Sequence, residues 1–159
     1  MAMRVPRTKA AAALSPHQPL EWTIASDVLA IERVVEGVVG LCTASGFSAK
    51  QCRFNIPIAL TEALANAIMR GNGSDASRSV RIRSSVQMTR DGATLNVDVT
   101  DEGAGFDIDT AGCTPDAPDW LEREDGRGVF LMRSLMDRVE CTRASDLPGN
   151  TVRLVLHRA

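Results

Sequence analysis

Apolar positions recur along the chain in rhythms that predict its elements one after another. Leu20 to Ala25 alternates apolar and polar residues and predicts a short edge strand. Ser26 stands where an N-cap is expected, and Val28, Ile31, Val35, Val38 and Cys42 then return at helical spacing, predicting an amphipathic helix that ends near Ser45-Gly46. Ser48 and Gln51 have capping-box spacing and open a second helix running to Gly71-Asn72-Gly73. Pro57 removes a backbone donor inside it, so it either kinks this helix or marks a late start. After Ser77 the period becomes that of a strand. Val80, Ile82, Val86 and Met88 share one face, Asp91-Gly92 reverses the chain, and Leu95, Val97 and Val99 alternate on the way back, which predicts a hairpin with one buried face. From Gly103 to Asp125 no period is sustained, and a loop of that length in a compact domain either moves over a site or is disordered. Gly126-Arg127-Gly128 closes it and opens a helix over Val129 to Met136. Arg138 to Thr142 and Thr151 to His157 predict two last strands, turned by Pro148-Gly149.

Composition narrows what these elements can serve. At 159 residues and 44% hydrophobic the chain has material for one well-cored domain and little for a second. A formal charge of -2 offers no basic field, and four Phe, two Trp and no Tyr offer no base-stacking platform, so nucleic acid is not an expected ligand. Cys42, Cys52, Cys113 and Cys141 are scattered without a CxxC pair, and His17 and His157 sit near the ends, which argues against structural zinc and against a disulfide framework. No apolar run approaches the roughly 20 residues of a membrane span. Residues 1–19 carry Arg4, Arg7 and Lys9 ahead of Ala10 to Leu14, a faint signal-peptide likeness whose apolar part is too short and is closed by Ser15, Pro16, His17 and Pro19. They predict a disordered tail, 1–19, before a domain over 20–159 in a cytoplasmic protein.

The second helix carries more than packing requires. Glu62, Asn66 and Arg70 are four residues apart and stack along one helical face, away from Leu60, Ala63, Leu64, Ala67 and Ile68. A carboxylate can accept a proton, an amide oxygen can help hold magnesium, and a guanidinium can face an anion. Read alone, the same face is an ordinary surface with i,i+4 support. Gly126, Arg127 and Gly128 at a helix start present backbone amides and a positive dipole end suited to phosphate, and Gly103 and Gly105 allow close backbone approach at the other end of the loop. Singly, Asp101 before Glu102-Gly103 can be a strand-end cap, the glycines punctuation, and Thr151 a strand former. No GxxxxGK[ST] motif and no complete dinucleotide fingerprint occurs.

In register, Glu62-x-x-x-Asn66-Ala67, Asp101-Glu102-Gly103-Ala104-Gly105-Phe106-Asp107 and Gly126-Arg127-Gly128-Val129-Phe130-Leu131-Met132-Arg133-Ser134-Leu135-Met136-Asp137 resemble the three nucleotide-binding boxes of the GHKL ATPase superfamily. Within it they look most like the anti-sigma-factor serine/threonine kinases of bacterial partner-switching systems. That resemblance implies an α/β two-layer sandwich of the Bergerat type, a mixed, mostly antiparallel sheet with helices on one face. It implies Mg-ATP as the ligand: Asn66 as the magnesium ligand, Glu62 as the base that deprotonates the attacking hydroxyl, and Asp101 as acceptor of the adenine amine. Gly103, Gly105, Gly126 and Gly128 would frame lid and phosphates, Arg127 would reach the terminal phosphate, and Thr151 would be the family's Gly-x-Thr adenine contact. Arg70 replaces the family's usual histidine and carries no assigned role, and the loop bears the acids Asp116, Asp119, Glu122, Glu124 and Asp125. The implied substrate is a small STAS-type anti-sigma-factor antagonist, with a sigma factor as a further partner and a homodimer formed through the first helix and sheet edge. The alternative is an ATP- or ADP-gated sequestering module without phosphotransfer. Histidine-kinase-like transfer would need a phosphoacceptor histidine on a dimerisation helix, and neither His17 nor His157 stands on one.

Overall fold

Five strands form one sheet in the order β1-β2-β3-β5-β4: β1 (Leu20–Ala25), β2 (Ser79–Thr89), β3 (Gly92–Thr100), β4 (Arg138–Arg143) and β5 (Asn150–His157). The computed structural model describes residues 18–103, 124–143 and 149–159, and within these every strand pairing is antiparallel. Alternation sets which face is buried. Val80, Ile82, Ser84 and Val86 of β2, Leu95, Val97 and Val99 of β3, and Val152, Leu154 and Leu156 of β5 all lie in the core. Three helices cover that face, α1 (Ile31–Ala44), α2 (Ile56–Asn66) and α3 (Glu124–Leu135), supplying Val34, Val38, Leu41, Leu60, Leu64, Val129 and Met132. Each such aliphatic side chain contributes roughly 1.5–3 kcal/mol on burial, and this layer of contacts stabilises the sandwich. Trp22 of β1 packs over Gly37 of α1, where a Cβ would lie 2.5 Å from its ring. Ser84 is an exception inside the core: it is fully buried and its hydroxyl has no partner among the described residues. The opposite face is polar. Arg153 grips Asp98 through two bonds of 2.7 and 2.8 Å beside a depression of about 460 Å³ that Thr100 and Thr151 also line.

Several expected boundaries are displaced, each for a local reason. Asp27, not Ser26, is the first N-cap, its Oδ1 accepting from Leu29 N at 2.9 Å ahead of a 3-10 turn over Val28–Ala30. Ser26 is drawn into the interior, where its hydroxyl donates to the Arg78 carbonyl at 2.9 Å. The buried stripe of α1 is Val34, Val38, Leu41 and Cys42, while Val28 is exposed and Val35 half-buried. Met88, expected on the buried face of the hairpin, is exposed near its tip. The second helix does open with the capping box: Ser48 N donates to Gln51 Oε1 at 3.1 Å and Gln51 N to Ser48 Oγ at 3.2 Å. Gln51–Asn55 then forms a π turn, closed by Ile56 N donating to Gln51 O, before α2 begins with Pro57 in its first turn. A proline at 57 cannot donate to the carbonyl four residues back and crowds it, so the chain takes the wider turn first. A second π turn, Ala67–Gly71, follows Asn66 and is closed by Asn72 N donating to Ala67 O at 2.8 Å.

Candidate nucleotide-binding site

One edge of the sandwich gathers most of the residues that the sequence singled out. Glu62 and Asn66 stand one turn apart on α2, both half-buried. α3 packs against them so closely that a Cβ on Gly128 would lie 2.6 Å from Glu62 Oε2 and 3.4 Å from the Asn66 side-chain nitrogen. The absent side chain lets α3 lie directly against a carboxylate and an amide, a donor set that suits a hard cation and its phosphate ligands. Arg70 lies beyond Asn66 in the π turn, exposed, so the regular four-residue stacking stops at Asn66.

At the end of the π turn that follows Asn66, Gly71 meets the end of β3. Asp101 is 3% exposed, and a Cβ at Gly71 would overlap its carboxyl group. Among the described residues the carboxylate is held through Oδ1, which accepts from Gly103 N at 2.9 Å and from Asn150 N at 3.3 Å. The Asp101 amide in turn donates to Asn150 O at 3.0 Å. Burial raises its pKa above the ordinary value, and the two amides, with the charge of Arg78, oppose that rise. Gly103 completes the turn by lying directly on the Gly71 carbonyl, leaving no room for a Cβ. A buried carboxylate with one oxygen committed to amides can receive an N–H donor on the other.

Gly126, Arg127 and Gly128 do not precede a helix; they lie within α3 (Glu124–Leu135). Gly126 and Gly128 are buried and Arg127 is exposed. Thr151 lies on the other side of the sheet from Asp101. Its hydroxyl bonds that of Thr100 at 2.8 Å, and strand alternation turns both toward the polar face. Asn150, 2% exposed, takes the place beside Asp101 instead. Gly105 and the acids Asp116, Asp119 and Glu122 lie outside the described residues.

Residues 24–156 match the model of the histidine kinase-like ATPase domain. The chain belongs to that family. ATP binding is implied for a histidine kinase-like ATPase domain. No curated protein sequence matches the chain. Among solved structures, the RsbU and RsbW domains of Rv1364c from Mycobacterium tuberculosis superpose with a TM-score of 0.60 at 17% identity, over 89% of this chain and 32% of that one. The likeness is one of fold, and this chain spans about a third of the matched one.

Sequence reasoning missed two residues of this ATPase domain. Asn150 stands just before the strand start that the sequence predicts at Thr151, yet it is the first residue of β5 and its amide donates to Asp101. Asn72 was taken as part of a helix stop, yet it is 1% exposed and holds three partners across the fold. No local signal marks it, because all three partners are distant in sequence or lie in the following strand.

Proposed function

We propose that this domain is an ATP-dependent serine/threonine kinase of the anti-sigma-factor type, phosphorylating a small STAS-type antagonist and acting also as the regulator that holds a sigma factor or similar target. The observation that carries this reading is the continuity of one strip: a buried carboxylate acceptor, Asp101, at one end and the Glu62-Asn66 pair under Gly128 at the other, joined by α2 and the π turn that ends at Gly71. That strip suits a nucleoside triphosphate laid along α2 with its base at Asp101 and its terminal phosphate at Glu62. Asn66 would hold magnesium, which supplies neutralisation of the β- and γ-phosphate oxygens when bound. Asp101 Oδ2 accepts the adenine amine, Gly126 and Arg127 amides face the phosphates, and the Arg127 guanidinium reaches the terminal one. Glu62 takes the proton of the substrate hydroxyl as its oxygen bonds to the γ-phosphorus and the bond to the β–γ bridging oxygen breaks, releasing ADP. Homodimerisation through α1 and the β1 edge belongs to the same proposal.

The test is transfer from γ-labelled ATP with magnesium to a fractionated lysate of the host, resolved by size. Acid-stable label should appear on a small second protein, fall by about 10²- to 10⁴-fold with Glu62→Gln, and disappear with Asn66→Ala or a magnesium chelator. ATP binding without any transferred label would overturn the kinase assignment and leave a nucleotide-gated sequestering module.

A further inference from the structure

Asn72 joins four segments at one buried point. Its Nδ2 donates both hydrogens, one to Ser26 Oγ ahead of α1 and one to the Ser79 carbonyl at the start of β2, each at 2.9 Å. Its Oδ1 accepts from the Glu102 amide, just past β3, at 2.7 Å. Its own amide closes the π turn that ends α2. Every polar atom of the side chain is therefore engaged, in a place that excludes water. Such a node fixes relative position, because breaking any arm leaves a buried donor or acceptor unsatisfied.

The two segments it ties together are the two walls of the adenine end. In the chain Asn72 follows Gly71, whose Cα abuts the Asp101 carboxyl group, and through Oδ1 it holds Glu102, which follows Asp101. The Glu102 carboxylate adds a parallel link, its Oε2 accepting from Ser79 N at 2.6 Å. With Gly103 lying on the Gly71 carbonyl, the 101–103 turn cannot shift without moving these bonds. We propose that Asn72 is a positioning residue for nucleotide selection, setting the distance between the Gly71 backbone and the Asp101 carboxylate so that one carboxylate oxygen meets an exocyclic amine and an unaminated base is rejected. This rests on the reading of Asp101 as the adenine acceptor.

The experiment measures ADP and IDP binding to the full chain by titration calorimetry, since inosine carries a carbonyl where adenine carries its amine. Wild type should prefer ADP. Asn72→Ala should weaken ADP at least tenfold, leave IDP within about threefold, and so erase most of the preference. A residue that only stabilises the fold would lower the melting temperature and the active fraction but leave the ADP-to-IDP ratio of the folded molecules unchanged, and that result would overturn the proposal. Glu102→Ala, at an exposed side chain, removes the parallel link with less risk to folding and should cut the preference three- to fivefold; it decides the matter if Asn72→Ala does not fold. Wild type that binds neither nucleotide would overturn the adenine reading itself, and wild type that binds both equally would refute Asp101 selection while leaving nucleotide binding in place.

Discussion

Asp101 is a residue whose role and stability contribution oppose each other. Its folded pKa is raised above 3.8 by burial, so the native state holds a proton through a window above that value that the unfolded chain has already lost. In that window the native state binds more protons than the unfolded, and stability from this group falls as pH rises, leaving the ionised carboxylate a destabilising element at pH 7. Asp101→Asn should consequently melt at the same temperature or higher at pH 7 while losing at least tenfold in adenine nucleotide affinity, a comparison made by thermal melts beside calorimetry. In wild type, nucleotide affinity should drop on acidification at a pH above that of an ordinary carboxylate, as the acceptor becomes protonated. Gly128→Ala tests the other end: a methyl 2.6 Å from Glu62 Oε2 must displace that carboxylate, and phosphotransfer should fall tenfold or more with the fold retained. Ser84→Ala addresses stability alone, and relief of the unpaired hydroxyl should raise it by about 1 kcal/mol, measured by denaturant unfolding.

At the level of elements, α2 is the helix that is bounded at both ends by wide turns, and its entry is anchored by Gln51. Besides the capping box, Gln51 Nε2 donates to the His157 carbonyl at 2.7 Å and its Oε1 accepts from Ala159 N at 3.2 Å, tying the helix entry to the end of β5. Gln51→Ala removes a cap and two long-range bonds, each worth about 1 kcal/mol, and should lower the melting temperature by about 6–12 °C. The capping half of this role was legible, because Ser48 and Gln51 are three apart; the tie to residue 157 was not, because no local pattern encodes contact with a strand 106 residues away. The same division runs through the rest. The hairpin could be read from the alternation of Leu95, Val97 and Val99, and the edge strand from Leu20 to Ala25, since period and burial coincide there. Ser26 does not cap, because a residue suited to capping is claimed by a carbonyl 52 residues on. The Glu62-Asn66 pair was legible as a candidate site from its spacing and the family resemblance, but the packing of Gly128 over it from a different helix was not.

For the molecule as a whole, ligand binding and folding are linked. Nucleotide at 100 times its dissociation constant should add about 2.7 kcal/mol, or roughly 5–10 °C in melting temperature, and Asp101→Asn should abolish that shift. None of the described helices is long and apolar enough to cross a membrane. The packing of Trp22 onto Gly37 has a practical result. The chain has two tryptophans, and the second, Trp120, falls in sequence between the Asp101 motif and α3. Trp22 is thus a fluorophore seated between sheet and first helix, a reporter of global unfolding. Replacing it with phenylalanine leaves Trp120 as the single emitter, and any change in its fluorescence on adding ATP then reads the segment between the two halves of the site, free of signal from the core.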